Sequence, residues 1–172
     1  MFLKDYIEYI DSVEKQPTLL DKSNLIKYAV NIDLDQYEDI QAELESKIDP
    51  LLMCRSEYDL LSYLRQGING MSCGQMYLKV KGAWTGGHEE NLRFRSININ
   101  HGPGSSDWYG VGHENSQIFR EIVKENENID IYTKEGVWFP DIKYFMEKKI
   151  KVFFTVQEPG DIVLVGAGCL HW

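Results

Sequence analysis

In the stretch TGGHEEN, His88 and Glu90 are two positions apart, so both side chains can reach one point if the backbone is extended. Taken alone, such a pair is commonplace, and a solvated loop is the ordinary reading. His171, in GAGCLHW, lies 83 positions further on, after an apolar run that follows PGD. By itself it reads as a structural histidine on a buried strand. Together the three make a different proposition: two imidazoles and one carboxylate can form a facial triad that holds Fe(II) and leaves three positions open for a bidentate cosubstrate and dioxygen. Neutral imidazoles and a single carboxylate leave the metal a net positive charge, which suits an anionic 2-oxo acid.

If 2-oxoglutarate is that acid, its far carboxylate needs a buried cation and a hydroxyl donor. Lys79 and Thr85 can supply them through charge-assisted hydrogen bonds. Ser96 and Asn98 can complete the polar pocket. These residues fall on alternating segments. In GQMYLKVKG, Met76, Leu78 and Val80 alternate with Gln75, Tyr77 and Lys79; in FRSININ, Ile97 and Ile99 alternate with Ser96, Asn98 and Asn100. The polar faces of such strands ordinarily meet solvent, and lining a wet interior is the alternative. His101, beside a glycine turn, and His113, at a helix start, read as surface or capping residues and stay outside the site. Trp84, Trp108, Trp138 and Trp172 read most simply as core or rim aromatics, although one near the iron could contact a methylated ammonium.

Helical and extended segments must carry these groups. Phe2, Tyr6, Ile7, Ile10 and Val13 share one helix face, as do Tyr37, Ile40, Leu44 and Ile48 before Pro50. A third short helix is expected over 57–65, from Ser56 and Asp59 as start signals and Gly67 as a stop. From about residue 74 the period turns to two. GPG at 102–104 leads into SDWYGV, a helix is expected over 113–126, and another after Pro140 in DIKYFMEKK. KVFFTVQ, EPGD and IVLV read as a hairpin-like pair of strands. Helices, strands, inserted helices and strands again predict a mainly β fold with helical decoration, a sandwich or barrel rather than alternating β-α units.

Composition sets bounds on partners. A chain of 172 residues is one domain's worth. With 27 acidic against 18 basic residues, direct binding to nucleic acid or to an anionic membrane surface is not expected. The N-terminus lacks the uninterrupted apolar core of a signal peptide, and the run Ile162–Leu170 is too short to span a bilayer, so the chain reads as soluble. Cys54, Cys73 and Cys169, odd in number and without a CxxC pair, fit a reduced intracellular setting.

The runs GQMYLKVKGAWTGGHEENLRFRSININHGPGSSDWY and GVWFPDIKYFMEKKIKVFFTVQEPGDIVLVGAGCLHW resemble the JmjC domain of the UTX, UTY and JMJD-type demethylases of lysine 27 on histone H3. The likeness reaches back to IKYAVNIDL, so it covers 26–172 as a JmjC-like catalytic domain, with 1–25 as an N-terminal helical segment. The resemblance implies a double-stranded β-helix, a cupin-like jelly roll. It also implies Fe(II) on His88, Glu90 and His171, 2-oxoglutarate on Lys79, Thr85, Ser96 and Asn98, and Tyr77 facing the methylated lysine. Oxidative decarboxylation of 2-oxoglutarate would then release the methyl group as formaldehyde. A histone H3 tail peptide as substrate, chromatin-complex subunits as partners and a nuclear location follow from the same likeness.

Departures from the family pattern qualify these expectations. KVKG and TGGH stand where the family tends to have KVPG and TPGH, so Lys81 and Gly86 replace stiffening prolines and a more mobile loop is expected before His88. Glu89 replaces a glutamine. The family continues past its HW with a further strand and a zinc-binding module, so the fold is expected to be incomplete at the C-terminus. A JmjC-type protein hydroxylase, and a catalytically silent scaffold or truncated fragment, are the competing readings.

Overall fold

Asp5 in the first turn and Lys15 in the last complement the dipole of helix α1 (Leu3–Lys15) in this computed structural model. The structure describes residues 3–15, 26, 28–131, 133, 139 and 141–172. Phe2, Trp138 and Pro140 therefore lie outside the described residues, as does most of the junction expected at 25/26. The chain divides into two compact units, Met1–Ala83 and Trp84–Trp172. Among the described residues, no helix is long and apolar enough to cross a membrane.

In the first unit, α1 buries Tyr6 and Val13 and leaves Ile7 exposed. The Tyr6 hydroxyl donates to the Leu78 carbonyl at 2.5 Å, tying the helix to strand β2 (Gln75–Leu78). β2 pairs antiparallel with β1 (Ala29–Asp33), a strand that hydrophobic periodicity did not announce. The register shifts between Ala29 and Ile32, where Asn31 has φ 55. Helix α2 (Glu38–Lys47) forms where its apolar spacing predicts, but buries none of its residues. The helix expected over 57–65 shrinks to a 3-10 turn, Leu60–Tyr63. The Asp59 carboxylate accepts from Leu61 N at 3.0 Å and from Arg55 N at 2.8 Å. Those local bonds favour a tight turn over a longer helix.

The second unit contains β3 (Ser96–Ile99), β4 (Ser106–Val111), α3 (Ser116–Glu127), α4 (Ile142–Glu147), β5 (Val152–Gln157), β6 (Ile162–Val165) and β7 (Leu170–His171). They form two antiparallel sheets, β5-β4-β7 and β3-β6. The strands read from KVFFTVQ and IVLV exist, but they are not a hairpin: β5 pairs with β4, and β6 with β3. The turn between them explains the exchange. Gly160 N donates to Asn100 O at 2.7 Å and Asn100 N to Asp161 O at 3.1 Å, so EPGD is seated on the end of β3 and hands the chain to the other sheet.

Residues directly opposite in an antiparallel pair share a face. The pairs Val111–Leu170 and Tyr109–Phe154 therefore face one way, and Gly110–His171, Trp108–Thr155 and Ser106–Gln157 the other. The first face packs on the helices: Val111, Leu170 and Trp172 join Phe119, Ile122 and Val123 of α3, Phe145 of α4 and Ile131 in the core. Phe119 and Phe145 stack with centroids 4.0 Å apart. Arg120 donates twice to Asp130, at 2.7 and 3.2 Å, fixing the turn that delivers Ile131. The opposite face is left for other work. Phe119→Ala should cost about 3–5 kcal/mol in urea unfolding, whereas Ile118→Ala, at a residue 50% exposed on the same helix, should stay within about 0.5 kcal/mol.

Candidate metal centre

His88 and His171 form an isolated antiparallel bridge. His88 N donates to His171 O and His171 N to His88 O, each at 3.0 Å. Next to it, Trp172 N and Tyr109 O, and Tyr109 N and Trp172 O, exchange bonds at 3.0 Å, so β4 anchors the strand end that carries His171. The two imidazoles thus stand side by side, centroids 4.3 Å apart. Glu90 arrives from the same segment as His88, and ligand atoms of His88, Glu90 and His171 lie within 4.8 Å of one another. Donors about 2.1 Å from one shared ion lie at most about 4.2 Å apart, so small side-chain movements suffice to close the three on a metal.

The hydrogen bonds suit that donor set. His88 Nδ1 faces Gly86 O at 2.9 Å and His171 Nδ1 faces Cys169 O at 3.3 Å. A carbonyl oxygen only accepts, so each bond places a proton on Nδ1 and turns Nε2 toward the centre. His171 Nε2 is 3.5 Å from Glu90 Oε1. The contact with His171, helped by the Ser96 hydroxyl that donates to the same oxygen at 2.5 Å and opposed by burial, holds the Glu90 pKa down to about 2. Two imidazoles and a carboxylate are a hard and borderline donor set of the kind that binds Fe(II) facially.

Other candidates divide sharply. Ser96 reaches Glu90 directly, and Asn98 is engaged with Gln157, whose Nε2 donates to the Asn98 backbone oxygen at 3.1 Å and to Oδ1 at 3.2 Å. On β3 the polar face is therefore the one turned to the centre, while the opposite face of β3-β6 leaves Ile162 and Leu164 exposed. Thr85 is half-buried three residues before His88. Lys79 and Tyr77 belong to the first unit. There the Tyr77 hydroxyl donates to Asn31 Oδ1 at 2.7 Å, and partial desolvation lowers the pKa of Lys79, which stays exposed. His101 and His113 are exposed. Trp84 packs edge-on against Phe139, and Trp172 is core.

Sequence reasoning missed two neighbours of the centre. Trp108 stacks on His171, with centroids 5.8 Å apart and planes within 17°. Its indole N–H donates to Oε1 of the buried Gln157 at 2.8 Å. The available signal was positional: Trp108 and Gln157 both alternate in phase with residues of their strands that face away from the helices.

A profile described as "JmjC domain, hydroxylase" matches residues 75–172. The chain is 35% identical over 151 residues to Lysine-specific demethylase 6B of Homo sapiens, covering 87% of this chain and 9% of that protein. It is 32% identical over 149 residues to Lysine-specific demethylase jmjd-3.1 of Caenorhabditis elegans, covering 86% and 14%. It is 27% identical over 129 residues to Lysine-specific demethylase REF6 of Arabidopsis thaliana, covering 69% and 9%. The chain thus spans about a tenth of the length of these curated relatives.

The segment bearing His88 and Glu90 is braced from within. Leu92 and Arg93 adopt left-handed φ values of 54 and 57, which turn the chain sharply after Glu90. Arg93 Nε lies 2.9 Å from Oε2 of the buried Glu89, and Arg93 O accepts from Gly168 N at 3.2 Å, joining this turn to the loop before His171. Burying a charge is costly once its partner is lost. Arg93→Ala should therefore lower the unfolding midpoint, whereas Glu89→Gln, which removes the buried charge, should leave it unchanged or raise it in the same thermal scan.

Proposed function

This chain belongs to the JmjC domain family, with its cupin-like jelly roll, and on that premise we propose that it is an Fe(II)- and 2-oxoglutarate-dependent dioxygenase that demethylates methyl-lysine on histone H3, at lysine 27. The observation that carries the reading is the convergence of His88, Glu90 and His171, two imidazoles and a carboxylate whose ligand atoms lie within 4.8 Å of one another. The demethylase names of the relatives supply the reaction class. In this reading 26–172 is the catalytic domain, preceded by a helical segment at 1–25. The tail peptide of histone H3 is the substrate, chromatin-complex subunits are partners, and the location is nuclear.

Iron with 2-oxoglutarate and dioxygen supplies the oxidation that frees an N-methyl group as formaldehyde. The chain's own residues bind and orient. His88 and His171 offer Nε2 because their Nδ1 protons are committed to Gly86 O and Cys169 O. Contacts with His171 and Ser96 lower the Glu90 pKa and favour its ionised form. Lys79 and Thr85 hold the distal carboxylate of the cosubstrate, Ser96 and Asn98 line its pocket, and Tyr77 faces the methylated side chain. Fixing these groups before the substrate arrives is the protein's contribution to rate.

The matching profile's description, "hydroxylase", favours a second reading in which the same centre adds oxygen to a protein side chain. Incubating the chain with Fe(II), 2-oxoglutarate and a trimethyl-lysine 27 peptide separates the two by peptide mass. Stepwise loss of methyl groups, absent in His88→Ala, is expected. Gain of one oxygen would transfer the reading to hydroxylation, and no change of mass would refute both. Lys79→Ala should raise the 2-oxoglutarate concentration needed for half-maximal turnover by about tenfold or more, the scale of one charge-assisted hydrogen bond, without weakening metal binding.

A further inference from the structure

We propose that Gln157 is a positioning residue for the metal centre: through its hydrogen bond to Trp108 it fixes the plane against which the His171 ring stacks. The inference rests on the reading of His88, Glu90 and His171 as metal ligands.

Gln157 ends β5 with only 2% of its surface exposed, and its amide is fully used. The two N–H groups of Nε2 share three acceptors, Asn98 O at 3.1 Å, Asn98 Oδ1 at 3.2 Å and Asp161 O at 3.1 Å. Those partners are all oxygens that accept, so the amide cannot be flipped, and Oε1 must point at Trp108. The indole N–H, which only donates, meets it at 2.8 Å. Trp108 is thus held at its polar edge while its ring face lies against His171, 17° from parallel.

His171 needs such a support more than His88 does. Its own tether, Nδ1 to Cys169 O, is 3.3 Å long, against 2.9 Å for His88 Nδ1 to Gly86 O. On the β4 side the residue paired opposite it is Gly110, which offers no side chain. Chain neighbours aside, the nearest atom to a Cβ at Gly110 would be Leu170 O at 3.7 Å, so this position offers the imidazole no side-chain wall. Trp108, diagonal to His171 across β4 and β7, supplies the missing wall. Partners that orient a ligating imidazole commonly govern metal affinity.

Gln157 also bonds β5 to β3, so a purely structural role must be told apart from positioning. The two differ in what they predict for folded protein. A mere cross-link between strands would lower unfolding stability and leave the metal affinity of the folded chain alone. Positioning through Trp108 predicts weaker metal binding, and predicts that the two residues act as one unit.

Co(II) titration of the chain, followed by its visible absorption, reads this directly. Circular dichroism should first confirm that each variant is folded. Gln157→Leu and Trp108→Phe are each expected to weaken Co(II) binding about tenfold, and the double variant should bind no more weakly than the weaker single one. Gln157→Met, which keeps length without the amide, replaces Gln157→Leu if the latter does not fold. Affinities within twofold of the unaltered chain, or fully additive losses, would overturn the positioning role. Failure of the unaltered chain to bind Co(II) would overturn the metal-site reading itself.

Discussion

Two backbone hydrogen bonds, His88 N to His171 O and His171 N to His88 O, are the constraint on which the rest depends. They join residues 83 positions apart, and the loop closure this demands is unfavourable until other contacts offset it. The offset comes from the adjoining strand pairing and core. β7 is only two residues long, yet it is pinned to β4, and Leu170 and Trp172 on either side of His171 are buried among Val111, Phe119 and Phe145. Strand alternation then does the rest: anchoring Leu170 and Trp172 toward the helices turns His171 to the other face. The hydrophobic core aims the imidazole without touching it.

The electrostatics of the centre follow from that placement. Glu90 accepts from Ser96 and lies beside His171, and these contacts outweigh the cost of partial burial, keeping it charged. Both imidazoles spend Nδ1 on nearby carbonyls. Beyond them, contacts continue through Trp108 and Gln157 to Asn98, so the two sheets of the second unit are connected through the same groups that surround the candidate centre. A buried polar network of this kind is favourable only when its members are satisfied, and it then defines one arrangement rather than several.

The clustering of His88, Glu90 and His171 was legible because candidate donors are recognised by residue type and spacing. Two imidazoles and a carboxylate remain recognisable at any loop length, and period-two alternation placed Ser96 and Asn98 on a common face. Connectivity was less legible. EPGD has the composition of a hairpin turn, and only its bonds to Asn100 show that it passes the chain to another sheet. The 57–65 segment misled for a related reason: Asp59 is a good helix start in isolation, but its carboxylate also accepts from Arg55 N and closes a tighter turn. Gln157 and Trp108 carried only a positional signal, since a glutamine at a strand end and a tryptophan in an alternating strand are unremarkable until their contacts are seen. The alternatives for the polar face of β3 could be decided only by finding Ser96 on Glu90.

The central claim is that His88, Glu90 and His171 hold one iron ion together. X-ray absorption of the chain loaded with one equivalent of Fe(II) under anaerobic conditions tests it most directly. The account predicts a six-coordinate centre of nitrogen and oxygen donors with scattering from two imidazoles, falling to one in His171→Ala. Two imidazoles still bound in that variant, or none in the unaltered chain, would contradict it.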